Sequence, residues 1–301
     1  MDTLYNMSQS ESIRRPARYE ELQVRGLRHR LTWWGEPSAQ PLVLLHGFKD
    51  SGLTWQFVVD HLPATWSCVA PDWRGFGGSD RAPAGYWFAD YFADLDALLD
   101  ALVPHHPARV VGHSMGGHIA SLYAGIRPRR LSWLVNLEGM GLPRTSAAGA
   151  PARYREWMDQ VRSGPRTQRY HSIEQLATLL RIRNPRLTPF RAGFIAEAWT
   201  RAVGDRRELA ADPRHSLINP MLYRRDEAEA CWRAVEVPVL LLIGEQSELR
   251  ERLGSDGTDA YFQSIFQNIR IATLPGCGHM MQHEDPQGVA DQIMEFARLA
   301  G

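Results

Sequence analysis

A serine between two glycines is the sharpest chemical signal in the sequence. The pentapeptide Gly112-His113-Ser114-Met115-Gly116 stands where an apolar run, ARVVG, gives way to a helix-favouring segment, MGGHIASLYAG. This is the G-x-S-x-G pattern, in which a tight strand-to-helix turn lifts the serine hydroxyl above the end of a sheet. Because a serine in that position can attack an acyl carbon once a base takes its proton, Ser114 is the predicted nucleophile.

A base for this serine is predicted near the end of the chain. Of the 11 histidines, His279 alone lies on a late loop directly after a terminal strand pattern, IRIATLP, in Gly276-Cys277-Gly278-His279. The two glycines would let the imidazole bend over the sheet edge towards the serine. His279 is therefore the predicted general base.

Acyl transfer also needs about two preorganised hydrogen-bond donors for the negative oxygen that develops. The backbone N–H of Met115 is one candidate. The N–H of Phe48, beside Gly47 in the loop after the apolar run LVLL, is the other. His46 is expected to brace that loop, and the glycine-rich segment 72–79 is expected to be a structural loop packed under the site.

The elements that must position these residues follow an alternating α/β pattern. Short apolar runs predict strands at 21–25, 28–34, 41–46, 66–70, 109–112, 131–137, 237–243 and 269–274. Helical patterns separate most of them, and several runs are apolar almost throughout, as in strands that are buried on both faces. The predicted fold class is therefore α/β, with a doubly wound, mostly parallel sheet.

One long segment interrupts this alternation. From 142 to 231 the strand signal disappears, and arginine-rich, proline-broken segments at 154–162, 173–182 and 190–202 favour helices. We predict a helical insertion over 142–231, a core made of 20–141 and 232–301, and a polar N-terminal tail over 1–19.

Composition narrows the function classes. Lys+Arg and Asp+Glu both number 34, so no net charge draws the chain to nucleic acid or to an anionic membrane. Three separate cysteines, Cys68, Cys231 and Cys277, indicate neither a disulfide framework nor a zinc site. With no apolar signal-peptide core in 1–19 and no membrane-length apolar run, a cytoplasmic protein with a small-molecule substrate is expected. Because dinucleotide, P-loop and metal motifs are missing from the sequence, no cofactor is expected.

The motifs HGF, DWRGFGGSD, GHSMGG and GCGHMMQHEDP occur in the order seen in the α/β-hydrolase superfamily, which the chain resembles from about residue 20 to its end. The resemblance implies the α/β-hydrolase fold, a cap at the insertion, and a nucleophile, an acid and a histidine in that chain order. The usual acid position is the aspartate of G-x-x-D after the strand VPVLLLIG. Here that position holds Ser247, which cannot serve as a carboxylate.

Some branches, including haloalkane dehalogenases and cofactor-independent dioxygenases, carry the acid after the strand that follows the nucleophile helix. Glu138 fills that position and is the predicted acid. Glu248, one residue beyond the usual position, and Glu245, two before it, are alternatives, and the loss of a functional acid is a third possibility. The order of the motifs leaves these alternatives open.

These residues predict a serine hydrolase, specifically a carboxylic ester hydrolase that acts on a small apolar or aromatic ester through an acyl-enzyme. Met140 and Met280, together with the cap aromatics Trp157, Phe190, Phe194 and Trp199, are expected to line the substrate pocket. Serine in place of aspartate as the nucleophile argues against dehalogenase and epoxide-hydrolase chemistry. The alternatives are a cofactor-independent dioxygenase or C–C bond hydrolase on the same fold, and a non-catalytic ligand-binding relative.

Overall fold

The computed structural model describes residues 11–300, and within them one large sheet carries the core. The strands are β1 (Arg18–Val24), β2 (Leu27–Trp34), β3 (Leu42–Leu45), β4 (Cys68–Pro71), β5 (Ala108–His113), β6 (Leu131–Leu137), β7 (Arg169–Tyr170), β8 (Thr200–Val203), β9 (Arg206–Leu209), β10 (Val239–Gly244) and β11 (Ile269–Leu274). The large sheet has 8 strands in the order β1-β2-β4-β3-β5-β6-β10-β11. Pairing is antiparallel for β1 with β2 and for β2 with β4, and parallel from β4 onwards. The predicted doubly wound, mostly parallel sheet is confirmed.

Helices cover both faces of this sheet. The described helices are α1 (Gln56–Val59), α2 (Phe88–Leu102), α3 (Met115–Ile126), α4 (Ala150–Ser163), α5 (Ile173–Arg183), α6 (Pro189–Ala198), α7 (Arg225–Arg233), α8 (Leu249–Leu253), α9 (Asp259–Ile265), α10 (Met281–Glu284) and α11 (Pro286–Ala300). Of these, α4, α5 and α6 belong to the inserted segment. Along β3, Val43 and Leu45 join one hydrophobic cluster while Leu42 and Leu44 join the cluster on the opposite face. Alternating side chains of a strand point to opposite faces, so a continuously apolar run fits a strand that is covered on both sides. None of the described helices combines the length and the apolar character needed to cross a lipid bilayer.

The N-terminal boundary differs from the sequence prediction. Residues 1–10 of the predicted tail lie outside the described residues, and β1 begins at Arg18, ahead of the expected core start at residue 20. The preceding stretch is already tied to the core. The Arg15 backbone N–H donates to the Asp60 carboxylate at 2.8 Å, and the Arg15 guanidinium donates to the Trp66 carbonyl at 2.6 Å.

The inserted segment contains helices α4, α5 and α6, and also a small sheet that the sequence prediction missed. This 3-stranded antiparallel sheet has the order β7-β9-β8. The predicted helix 190–202 is wrong at its end, because α6 stops at Ala198 and β8 follows. Gly204, at φ +61°, forms a two-residue turn with Asp205 that pairs β8 with β9. The inserted segment is therefore helical with an added hairpin.

The return to the core also comes earlier than the predicted boundary at 231. Helix α7 spans that boundary, and its Ala228 and Trp232 belong to the main core cluster. It packs closely on α3, since a Cβ added to Gly125 would lie 1.8 Å from the Cys231 carbonyl oxygen. By packing, α7 is part of the core.

Candidate active site

Ser114 lies on a sharp turn between β5 and α3. Its backbone has φ +50° and ψ −114°, a conformation that is costly for a residue with a side chain. The turn needs glycine on both sides, because a Cβ on Gly112 would lie 2.6 Å from the Gly117 nitrogen and one on Gly116 would lie 2.4 Å from the Leu45 carbonyl oxygen. This close packing raises the serine above the carboxyl ends of the central strands.

His279 lies on the loop between β11 and α10, and its imidazole reaches both a serine and a carboxylate. The Nε2 atom is 3.0 Å from the Ser114 Oγ, and the Nδ1 atom is 2.7 Å from the Glu138 Oε2. The structure thus brings the three sequence-predicted residues into one chain of hydrogen bonds. Such a chain can move the serine proton to the imidazole and stabilise the resulting imidazolium.

The Glu138 carboxylate is buried at the end of β6 and accepts three hydrogen bonds. The Gly244 N–H donates to Oε1 at 2.9 Å, while the Ser247 hydroxyl donates to Oε2 at 2.7 Å, beside the contact with His279. Ser247 therefore stands at the family's usual acid position and donates a hydrogen bond to Glu138. The sequence showed Ser247 as a missing aspartate, whereas the structure shows it as a donor.

The two alternative acids lie elsewhere. The Glu248 side chain is 74% exposed and pairs with Arg252 at 3.0 Å on the same helical turn. The Glu245 carboxylate accepts the Gly276 N–H at 2.8 Å. Of the three candidate carboxylates, Glu138 is the one that contacts His279.

His113, the variable residue before the nucleophile, holds the histidine loop and was missed by sequence reasoning. Its Nε2 donates to the His279 carbonyl oxygen at 2.9 Å, and its Nδ1 accepts from the Gln282 side-chain amide at 3.1 Å. Burial lowers the pKa of His113 well below its ordinary value, so the ring is neutral and can donate from one nitrogen while it accepts at the other. The sequence feature that could have pointed to His113 is its place inside the G-x-S-x-G motif, directly before Ser114.

The loop after β3 brings Phe48 to the serine. A Cβ on Gly47 would lie 3.2 Å from the Ser114 Cβ, so the loop backbone passes directly beside Ser114. Among residues 11–300, no hydrogen-bond acceptor lies in range of the Phe48 or Met115 backbone N–H. Both groups are thus free to donate to a substrate oxygen next to Ser114.

Two buried side chains support this loop from below. The His46 Nδ1 contacts the Gly47 carbonyl oxygen at 2.8 Å, and its Nε2 accepts the Trp73 N–H at 3.0 Å. Burial lowers the pKa of His46, so its ring is neutral in this bracing position. The Asp72 carboxylate accepts the Gly52 N–H at 2.6 Å and the Gly78 N–H at 2.8 Å, so the glycine-rich segment 72–79 packs against the same loop.

Comparison with known proteins agrees with this architecture. Residues 40–286 match the family model of the alpha/beta hydrolase fold. The chain belongs to that family. A serine hydrolase-like protein of Danio rerio is 27% identical over 272 residues, which cover 87% of this chain and 83% of the relative. The 2-succinyl-6-hydroxy-2,4-cyclohexadiene-1-carboxylate synthase of Salmonella agona (strain SL483) is 29% identical over 277 residues, which cover 88% of this chain and 96% of the relative.

Solved structures extend the likeness in fold. A thioesterase domain from a curacin biosynthetic pathway superimposes with a TM-score of 0.82 at 24% identity, covering 93% of this chain and 99% of that domain. The resemblance inferred from the four motifs is therefore confirmed at the level of family and fold.

In this α/β-hydrolase a cavity of about 700 Å³ opens beside Ser114 and His279, between the core and the inserted segment. Its wall is mainly apolar and aromatic, and includes Phe48, Trp87, Phe88, Met140, Trp157 and Leu217. Met140 and Trp157 thus lie where the sequence led us to expect substrate contacts. A cavity of this size and composition is typical of a site for a small, largely apolar ligand.

Four predicted pocket residues, Phe190, Phe194, Trp199 and Met280, do not line this cavity. The Trp199 indole N–H donates to the Asp50 carboxylate at 2.6 Å, because α6 packs on Phe57 away from the nucleophile. Met280 begins the turn into α10 and is absent from the cavity wall. It neighbours His279 in sequence, but consecutive side chains diverge at the start of a helical turn.

Proposed function

We propose that this α/β-hydrolase is a serine hydrolase that cleaves carboxylic esters of small apolar or aromatic molecules through an acyl-enzyme. The observation that carries the proposal is the chain of contacts from the Ser114 Oγ to His279 at 3.0 Å and from His279 to Glu138 at 2.7 Å, at the floor of an apolar cavity. In the proposed reaction the His279 Nε2 takes the serine proton as the Oγ bonds to the acyl carbon.

The negative charge of the tetrahedral intermediate would then fall on an oxygen beside the Met115 and Phe48 N–H groups. The imidazolium gives its Nε2 proton to the leaving alcohol, and the C–O bond to that alcohol breaks. A water molecule, deprotonated by the same nitrogen, attacks the acyl carbon. The bond from that carbon to the Ser114 Oγ then breaks, the Oγ takes the proton back from Nε2, and the acid is released. Throughout this cycle the Glu138 carboxylate holds the Nδ1 proton in place, which keeps Nε2 available as the base.

The apolar wall supports a preference for medium acyl or aromatic esters over acetyl esters. Each buried methylene contributes ~0.8 kcal/mol, so kcat/KM should rise roughly fourfold per added carbon until the cavity is full. The measurement is kcat/KM for p-nitrophenyl acetate, butanoate, hexanoate and phenylacetate.

The cap offers a matched pair of controls for this preference. Trp157→Ala removes part of the cavity wall and should reduce the rise of kcat/KM with acyl chain length. Phe190→Ala alters a side chain that packs on Phe57 and should leave that rise unchanged. A wild-type profile that is flat or falls with chain length would show that the cavity does not hold the acyl group.

Ser247 provides a test of the displaced acid. Ser247→Ala removes one hydrogen bond to the Glu138 carboxylate, and a hydrogen bond to a charged group is worth about 1.5–3 kcal/mol. We expect kcat for p-nitrophenyl hexanoate to fall roughly tenfold or more, with KM little changed, since the bond orients the acid and does not touch substrate. Ser247→Thr keeps the hydroxyl and should retain most activity. Equal rates for the alanine variant and the wild type would argue against this positioning role.

A further inference from the structure

A buried carboxylate lies two residues beyond Phe48, and no step of the proposed reaction uses it. Asp50 is 4% exposed and is not among the residues that line the catalytic cavity. Its Oδ1 accepts hydrogen bonds from the Ser51 N–H at 2.8 Å, the Thr54 hydroxyl at 2.7 Å and the Trp199 indole N–H at 2.6 Å. Two of these donors belong to the loop after β3, and the third comes from the inserted segment.

The backbone of Asp50 closes the turn that carries the Phe48 N–H. The Asp50 N–H donates to the Gly47 carbonyl oxygen at 3.3 Å, so residues 47–50 form a tight turn, here called the oxyanion turn. Lys49, at the third position of this turn, has φ +61°. A residue with a side chain keeps such a backbone conformation only where the surrounding structure fixes it.

The side chain of Phe48 does not fix the direction of its own N–H. It is 49% exposed, and its ring meets Phe76 and His215 edge to face at centroid distances of 5.8 Å and 6.2 Å. Apolar contacts of this kind are not directional. The direction of the N–H is therefore set by the two ends of the oxyanion turn, Gly47 with its close packing and Asp50 with its hydrogen bonds.

The donor from the inserted segment is itself tied to the core. Trp199 ends α6, and on the same helix the Arg191 guanidinium donates to the His283 and Glu284 carbonyl oxygens at 3.2 Å and 3.0 Å. Both carbonyls belong to α10, the helix directly after the loop of the candidate base. The Asp50 Oδ2 faces the buried His283 Nε2 at 3.7 Å. Burial lowers the pKa of His283, so this imidazole is neutral.

We propose that Asp50 is a positioning residue for the Phe48 N–H, and that the inserted segment holds Asp50 in place through Trp199. The inference rests on the proposed function, in which this N–H donates to the oxyanion. An oxyanion donor acts at 2.7–3.1 Å from the oxygen on which charge develops, a general requirement that a small shift of the turn would break. Because Asp50 does not touch substrate, its loss should lower kcat and leave KM little changed.

The kinetic test uses p-nitrophenyl hexanoate. Trp199→Phe keeps an aromatic ring and removes the indole donor, and we expect kcat to fall roughly tenfold with KM within about twofold. Asp50→Ala removes the acceptor of all three donors, and its kcat should fall towards the 10²- to 10³-fold loss typical of one missing oxyanion donor. Asp50→Asn keeps an oxygen at the Oδ1 position and should recover most of that loss.

A matched control for the indole change is Trp33→Phe. The Trp33 indole N–H has no hydrogen-bond partner within residues 11–300, and the residue lies on β2. This variant should keep the wild-type kcat. If Asp50→Ala fails to fold, Trp199→Phe and Trp33→Phe together still decide the matter.

A pair of ketones reports on the oxyanion site directly. With 1,1,1-trifluoro-2-heptanone the Ser114 Oγ adds to the ketone carbon, its proton passes to His279, and the ketone oxygen becomes the anion. The Ki of this inhibitor should rise in Trp199→Phe and Asp50→Ala by the factor by which kcat/KM falls. The Ki of 2-heptanone, which binds without forming an anion, should stay unchanged. A substitution that only loosened the fold would weaken the binding of both ketones.

Amide NMR of protein labelled with ¹⁵N-phenylalanine reads the Phe48 N–H without turnover, and Phe48→Tyr identifies its signal. The signal should shift in Asp50→Ala and in Trp199→Phe, and stay in place in Trp33→Phe. If the wild type hydrolysed no ester while the signal moved in this way, the proposed function would fail and the positioning role would stand. A folded Trp199→Phe protein with wild-type kcat and an unmoved signal, or equal loss of affinity for both ketones, would overturn the positioning role alone.

Discussion

Ser114→Ala is expected to lower kcat/KM for p-nitrophenyl hexanoate by on the order of 10³-fold or more while the protein stays folded. In the proposed mechanism the hydroxyl oxygen is the attacking atom, and its one side-chain hydrogen bond in the described structure is with the His279 Nε2 at 3.0 Å. Alanine has less bulk at a strained backbone position, with φ +50°, so thermal stability should be unchanged or higher. Initial rates and circular-dichroism melting curves measure the two effects.

Covalent labelling makes this prediction independent of the substrate. A fluorophosphonate probe should add one mass increment to the wild type and none to Ser114→Ala. Ser264→Ala is a matched control, because its hydroxyl is an exposed one on α9 that bonds only the Tyr261 carbonyl oxygen. Labelling of wild type would exclude a silent ligand-binding relative. Undiminished ester hydrolysis by a folded Ser114→Ala protein would sink the assignment of the nucleophile.

The strands of the core could be predicted from local sequence because burial on both faces leaves a simple pattern. The run LSWLVNL predicts strand 131–137, and the structure has β6 over Leu131–Leu137. β11 was also predicted at its observed bounds, Ile269–Leu274, although it is an edge strand in which Leu274 alone is buried. A continuously apolar segment bounded by turn residues has few other places in a folded chain.

The cap was harder to predict for a physical reason. Strands β8 and β9 carry Thr200, Arg201, Arg206 and Arg207 among few apolar residues, so the sequence shows no period-two alternation. Their pairing depends on the Gly204 turn and on contacts with the rest of the cap. Trp199 was misplaced because composition cannot tell an aromatic residue that lines a cavity from one that joins a cap helix to the core through Asp50.

In the candidate site, the residues that stand in well-defined sequence motifs were the easiest to predict. Ser114 and His279 stand in short motifs with fixed structural contexts, whereas Glu138 was selected because Ser247 leaves the usual acid position empty. The contacts that hold these residues, from His113 to the His279 carbonyl and from Ser247 to Glu138, join parts of the chain far apart in sequence. Such contacts become visible only when the strands are assembled.

Glu138→Gln is expected to lower kcat by about 10⁴-fold, close to the effect of Ser114→Ala. Every group around the Glu138 carboxylate is a donor: the Gly244 N–H at Oε1, and the Ser247 hydroxyl and His279 Nδ1 at Oε2. A glutamine must turn its NH₂ group towards one of these donors. If it faces His279, the imidazole has to accept at Nδ1, so the proton moves to Nε2 and the base is lost.

The opposite orientation of the amide is also unfavourable. The glutamine NH₂ would then face the Gly244 N–H, and these two buried donors would both lack an acceptor. By contrast, Glu248→Gln changes a side chain that is 74% exposed, and Glu245→Gln one that bonds only the Gly276 N–H, so each should alter kcat by about twofold at most. Steady-state kinetics on the three glutamine variants decides among the carboxylates. If Glu248→Gln were the crippling change and Glu138→Gln kept most activity, the acid would lie on the loop after β10, and the nucleophile and base assignments would be unaffected.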